Sequence, residues 1–286
     1  MDVKLGMNLL LWGGEIDAAH LPVIEALAAA GFDGVEIPVT GQSIETLKAF
    51  KRCVADSGMA LTTSTFVPPD VNPIDPNPAV RGKSVDYMKA RIDECALLGG
   101  NLLIGGLYQA HKYFTGLPPS SDEWGWSRDY LRAAGEYAAQ ANIRLGLEFL
   151  NRFEVHLINT AADAKRMCED VGLANIGVLY DTHHANIEDP APAHAIGGLG
   201  DHLFHIHLSE SHRGTLGTGQ VPWADTFRAL STANYSGWLT IEAFGTIDPG
   251  LSQAANVWRN AFDSEEQLYT DGLAFIRQQL AALPHR

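Results

Sequence analysis

Short apolar runs alternate along this chain with longer amphipathic stretches, and the alternation repeats eight times. Runs rich in β-branched and other large apolar residues at 4–12, 35–39, 60–67, 101–107, 143–150, 176–181, 203–208 and 238–244 read as strands. Between them, hydrophobic positions recur at helical spacing over 17–30, 43–57, 80–98, 121–141, 160–171, 191–199, 223–234 and 264–283. Glycines close several of these helices, at Gly58, Gly99-Gly100 and Gly172. Strand followed by helix, eight times over, predicts a parallel sheet with helical crossovers. Eight such units in 286 residues suit an α/β (β/α)8 TIM barrel. An open doubly wound sheet would usually carry a G-x-G-x-x-G turn after its first strand. Here the first strand runs out through Leu11-Trp12-Gly13-Gly14-Glu15. No linker, repeat or low-complexity segment divides the chain, so residues 1–286 are expected to form one domain. Three long loops, 68–78, 108–120 and 245–263, fall where barrels keep their chemistry and are candidate lids.

Composition narrows the partners. Hydrophobic residues make up 46 % of the chain, enough for a large core, yet no run approaches the ~20 apolar residues of a membrane span. The start, Met1-Asp2-Val3-Lys4, lacks the basic and apolar segments of a secretory signal, so a cytoplasmic location is expected. The formal charge of −14 repels phosphate backbones and anionic lipid, which argues against nucleic-acid and membrane partners. Cys53, Cys95 and Cys168 are far apart and show no CxxC spacing; all three read as small buried hydrophobes.

Candidate chemistry lies at the ends of strands five to eight. Glu148, Asp181, His207 and Glu242 each sit in or at the end of an apolar strand. Such a carboxylate is costly to bury unless it is paired or binds metal. Three carboxylates and one imidazole make a hard, oxygen-rich donor set suited to Mn²⁺, with Mg²⁺ or Co²⁺ as alternatives. His205 shares a facing with His207 and is expected to support rather than bind. Around this core, Glu154, His184 and Arg213 offer hydrogen bonds to sugar hydroxyl or carbonyl oxygens. The stretch Gly214–Gly219 lies where barrels often bind phosphate but matches no phosphate motif. Trp12, Phe66 and Tyr108 are candidate pocket walls.

These residues carry a family resemblance. Gly146-Leu-Glu-Phe-Leu-Asn-Arg-Phe-Glu154 resembles the strand-five signature of the ketose 3-epimerases, which include the D-tagatose and D-allulose (psicose) 3-epimerases of the xylose isomerase-like barrels. Tyr180-Asp-Thr-His-His-Ala-Asn-Ile-Glu188, His207-Leu-Ser-Glu-Ser-His-Arg-Gly214 and Ile241-Glu-Ala-Phe244 are similar to the motifs that follow. The resemblance implies that Glu148, Asp181, His207 and Glu242 hold Mn²⁺. It also implies that Glu148 and Glu242 are the acid/base pair at C3 of a ketose, and that Glu154, His184 and Arg213 bind its O1–O3 end. It implies a homodimer or homotetramer and no organic cofactor. Phe149, His183, Ala185 and Ser211 depart from the commoner family residues and are expected to touch packing and the pocket wall. Hydroxypyruvate isomerase, inosose dehydratase and a non-catalytic sugar-binding barrel are competing readings on the same scaffold. An endonuclease-IV-like DNA repair enzyme is opposed by the acidic charge.

Overall fold

The computed structural model describes residues 1–284. Among the described residues, eight parallel strands close into a barrel: β1 (Val3–Asn8), β2 (Gly34–Pro38), β3 (Ala60–Ser64), β4 (Leu102–Gly105), β5 (Arg144–Glu148), β6 (Ile176–Asp181), β7 (Leu203–Leu208) and β8 (Gly237–Ile241). They pair in chain order and β1 pairs with β8, leaving no edge. The expected helices surround them, and no described helix is long and apolar enough to cross a membrane.

Local chemistry sets the boundaries. Ser43 caps helix Ile44–Asp56 by accepting from Thr46 N–H, and the helix buries Leu47, Phe50 and Val54 on one face. Ser120 and Glu123 form a capping box for Ser121–Gln140. Gly31, Gly99 and Gly172 end their helices in the left-handed conformation.

Several strands are shorter than their apolar runs. β1 stops at Asn8 because the Asn8 side chain accepts from Leu10 N–H and turns Leu9–Leu11 into a 3-10 helix. β4 stops at Gly105, whose φ is +134° and whose added Cβ would lie 2.0 Å from the Thr65 carbonyl oxygen. β8 ends at Ile241, so Glu242 stands just past the ladder. Among the described residues, two α-helices lie wholly outside the expected ones. Thr182–Glu188 is capped by Asp181, and Pro249–Ala255 lies inside the long loop after β8, capped by Asp248. Cys95 and Cys168 are buried as expected, but Cys53 is only half-buried and packs at the core's margin.

Candidate functional site

Strand register brings the polar residues to one level. Asp181 and His207 are direct partners on β6 and β7, and Asn8 and Glu36 are partners on β1 and β2. The side chains of Glu148, Asp181, His207 and Glu242 meet there, with one ligand atom of each within 4.8 Å of the others. His207 Nδ1 lies 3.2 Å from Glu242 Oε1, 3.7 Å from Glu148 Oε1 and 3.9 Å from Asp181 Oδ2. Ligands about 2.1 Å from one cation stand roughly 3–4 Å apart, so these spacings suit a single divalent ion.

Electrostatics make the same point. All four groups are buried. Burial, joined by the charge of Glu242, pushes the Glu148 carboxyl up. Burial also pushes Asp181 well above its ordinary value; Arg213 opposes this, while Glu242 and Glu148 add to it. For Glu242, burial is outweighed by His207 and Arg213, and its carboxyl is held low. Three carboxylates crowded out of water call for more positive charge than His207 and Arg213 supply. His207 Nδ1, buried and aimed at them, has no hydrogen-bond partner. An orphaned imidazole nitrogen facing three carboxylates fits a hard divalent cation.

The three candidate sugar-binding residues gather beside this cluster. Glu154 Oε1 accepts from Asn151 Nδ2 at 2.9 Å, and its Oε2 lies 3.1 Å from His111 Nε2. His184 Nδ1 receives the Asn151 backbone N–H at 3.1 Å, and its Nε2 lies 2.9 Å from Arg213 Nη2 and 3.6 Å from Glu148 Oε1. Burial, then the neighbouring guanidinium, holds the His184 ring well below its ordinary pKa. Arg213 Nη1 donates to Glu242 Oε2 at 2.8 Å, to Ser209 Oγ at 3.0 Å and to Asp181 Oδ2 at 3.1 Å. Its backbone is left-handed, φ +62°, and is held by Arg213 N–H to Glu210 O and Phe244 N–H to Arg213 O. Such strain persists only where surroundings fix it, and it is common at ligand sites.

A pocket of about 860 Å³, counting its open mouth, lies over the cluster. Glu148, Glu154, His184, His207, Arg213 and Glu242 line its floor. Phe66 lines it as expected, with Leu10 and Phe244. From the loop after β8, Leu251, Ala254 and Ala255 reach it, while Lys112 Nζ ties that loop to the one after β4 through Gln253 O.

Two of the three expected pocket walls fail. Tyr108 is fully buried, with its hydroxyl donating to Ile158 O and accepting from Leu150 N–H, so it braces loops rather than walling the pocket. Trp12 packs on Tyr269 instead. Glu210 does not face the pocket. It is enclosed, and its carboxylate accepts from the N–H groups of Ser211, Gly217 and Val221 and from Trp223 Nε1. That carboxylate occupies the Gly214–Gly219 turn from within, which disposes of a phosphate cradle there. Phe149 packs on Tyr180, in line with the packing expected of it, while none of Phe149, His183, Ala185 and Ser211 is among the described residues lining the pocket.

Sequence reasoning missed Glu36, and did not single out Asn8 or His111 within the segments 7–12 and 108–114 that it placed along the pocket. Glu36 carries the signal that revealed Glu148, an acid inside the apolar run Val35-Glu-Ile-Pro-Val39. It is fully buried, with Oε1 2.7 Å from His207 Nε2. His205 Nε2 lies 3.0 Å from Glu36 Oε2 without hydrogen-bond geometry.

Residues 24–279 match the xylose isomerase-like TIM barrel family. The ketose 3-epimerase of Arthrobacter globiformis is 30 % identical over 284 residues, 98 % of each chain. The L-ribulose 3-epimerase of Methylomonas sp. (strain DH-1) is 31 % identical over 280 residues, 97 % of this chain and 98 % of its own. A crystal structure of a Methylomonas D-allulose 3-epimerase in complex with D-allulose is similar with a TM-score of 0.91 and 30 % identity, covering 97 % of each chain. The chain belongs to the xylose isomerase-like TIM barrel family, and within it to the ketose 3-epimerases, which are carbohydrate isomerases.

Proposed function

We propose that this protein is a metal-dependent epimerase that inverts C3 of a free ketose of the D-tagatose, D-fructose or D-allulose type. The observation that carries the reading is the convergence of Glu148, Asp181, His207 and Glu242 on one point at the floor of a pocket, with Glu154, His184 and Arg213 beside it. The relatives' activity supports the reaction class.

Glu148, Asp181, His207 and Glu242 would hold the cation, Mn²⁺ by our reading, with Mg²⁺ or Co²⁺ as alternatives. When bound, it would polarise the ketose carbonyl and stabilise negative charge on that oxygen as C3 loses its proton. Glu148 and Glu242 do the proton transfer. One removes the C3 proton, and the other returns a proton to the opposite face of the planar enediolate carbon. A single base would need the sugar to turn over between the two steps. Arg213, His184 and Glu154 grip the O1–O3 end, so that C3 stays between the two glutamates. Leu251, Ala254 and Ala255, across the mouth, limit water at the reacting carbon.

In this reading the chain is one domain, cytoplasmic and a homo-oligomer, dimer or tetramer. Phe114, Leu117, Phe153 and Trp258, all exposed on loops, support a subunit contact.

The test follows D-fructose, D-tagatose and D-allulose by chromatography, after EDTA and after Mn²⁺ is restored. Interconversion of a C3 pair, lost with EDTA and regained with Mn²⁺, is expected. No turnover of any ketose by Mn²⁺-loaded protein would overturn the reading. Turnover of hydroxypyruvate alone would reassign the site to C1–C2 proton transfer.

A further inference from the structure

We propose that Glu36 is a positioning residue. It anchors His207 through Nε2, so that Nδ1 is presented to Glu148, Asp181 and Glu242. This rests on the metal-site reading above and adds to it the group that orients the nitrogen ligand.

Glu36 stands on β2 and His207 on β7, and their side chains meet inside the barrel. Glu36 Oε1 accepts from His207 Nε2 at 2.7 Å and from Asn8 Nδ2 at 3.0 Å, and Oε2 accepts from Thr62 Oγ1 at 2.8 Å. Both Glu36 and His207 are almost wholly out of solvent. A neutral imidazole has one N–H and one lone pair, and a carboxylate only accepts. The hydrogen bond to Glu36 therefore assigns the proton to Nε2 and the lone pair to Nδ1. Nδ1 is the nitrogen left without a hydrogen-bond partner, facing the three acids. The opposite tautomer would aim an N–H at the cation's position and leave two acceptors, Nε2 and Glu36 Oε1, in contact.

The same carboxylate reaches a second member of the cluster. Asn8 Nδ2 lies 3.0 Å from Glu36 Oε1 and 3.2 Å from Glu242 Oε1, so one amide bridges the anchor and the glutamate. Packing alone does not account for an acid here. A buried carboxylate is expensive, and an apolar side chain would fill a barrel layer as well. An anionic partner on the far nitrogen also raises the basicity of the ligating one.

Two measurements test this. In the first, Mn²⁺ affinity is measured by calorimetry on EDTA-treated wild type, Glu36→Gln and Glu36→Leu. Loss of such a partner costs about 10–100-fold in metal affinity. That loss is expected for Glu36→Leu, and a smaller one for Glu36→Gln, whose amide oxygen still accepts from Nε2. Folded Glu36→Leu binding within threefold of wild type would overturn the proposal. The second measurement needs no variant. Long-range ¹H–¹⁵N spectra of the wild type loaded with Mg²⁺ or Zn²⁺ should show His207 protonated at Nε2 and bare at Nδ1. The opposite assignment overturns the proposal even if the variants fail to fold. Wild type that binds no divalent cation would instead bring down the metal-site reading, and the proposal with it.

Discussion

Glu210 offers a quantitative test of how the loop carrying Arg213 is built. Its Oε1 accepts from Ser211 N–H at 2.8 Å and Val221 N–H at 3.1 Å, and its Oε2 from Gly217 N–H at 2.9 Å and Trp223 Nε1 at 2.8 Å. Glu210→Gln keeps the volume but turns one oxygen into an NH₂ group. Two of the four donors then lose their acceptor. Hydrogen bonds to a charged group contribute about 1.5–3 kcal/mol each. Gly217 and Ser211 lie near solvent, so water would recover part of the loss. The expected destabilisation is about 3 kcal/mol, a drop in Tm on the order of 5–10 °C. The sign with pH follows from the carboxyl's shift. Burial alone would raise it, but the donors from Ser211, Trp223, Val221 and Gly217 outweigh burial and hold it below the ordinary value of 4.5. A depressed carboxyl stabilises the fold above the unfolded value, and that stability fades as pH falls towards the folded value. The gap between wild type and variant in urea unfolding should be constant from pH 7 to pH 6. It should then narrow by up to ~0.8 kcal/mol at pH 4. A gap under ~1 kcal/mol at neutral pH, or one that widens in acid, would refute the role assigned to these four bonds.

Three further outcomes are expected. The thermal midpoint of EDTA-treated protein should climb with added Mn²⁺, by about 2.7 kcal/mol of stability at a hundredfold excess over Kd; indifference to Mn²⁺, Mg²⁺ and Co²⁺ would remove the metal centre. Glu148→Gln and Glu242→Gln should each lower kcat/KM for C3 epimerisation at least ~100-fold, with bound Mn²⁺ measured alongside; either variant within tenfold of wild type loses its acid/base assignment. Gly105→Ala, whose Cβ would press on Thr65 O, should cost more than ~2 kcal/mol, whereas Gly116→Ala, with φ +77° and nothing within 4 Å, should cost less; equal losses would show that backbone angle alone decides.

The eightfold alternation of strand and helix was legible because each crossover helix must bury one stripe and each barrel strand both faces. Those demands write a pattern into Leu47, Phe50 and Val54 as clearly as into Leu203–Leu208. The three converging acids and the imidazole were legible for a related reason. Charge inside an apolar strand is costly enough to mark a site. By that rule Glu36 was equally marked, but its role was not, because a strand shows which residues are buried and not what they face across the barrel. Only closure brings β2 against β7 and places Glu36 Oε1 2.7 Å from His207 Nε2. The same limit explains Glu210 and Tyr108. One reads as a loop acid and the other as an aromatic wall, until tertiary packing surrounds the first with N–H donors and sets the second beneath Leu150 and Ile158. Periodicity and residue chemistry, which act over a few residues, were determined by the sequence alone. Partner choice between distant side chains was decided by the tertiary structure, because register and barrel closure set distances that local pattern does not contain.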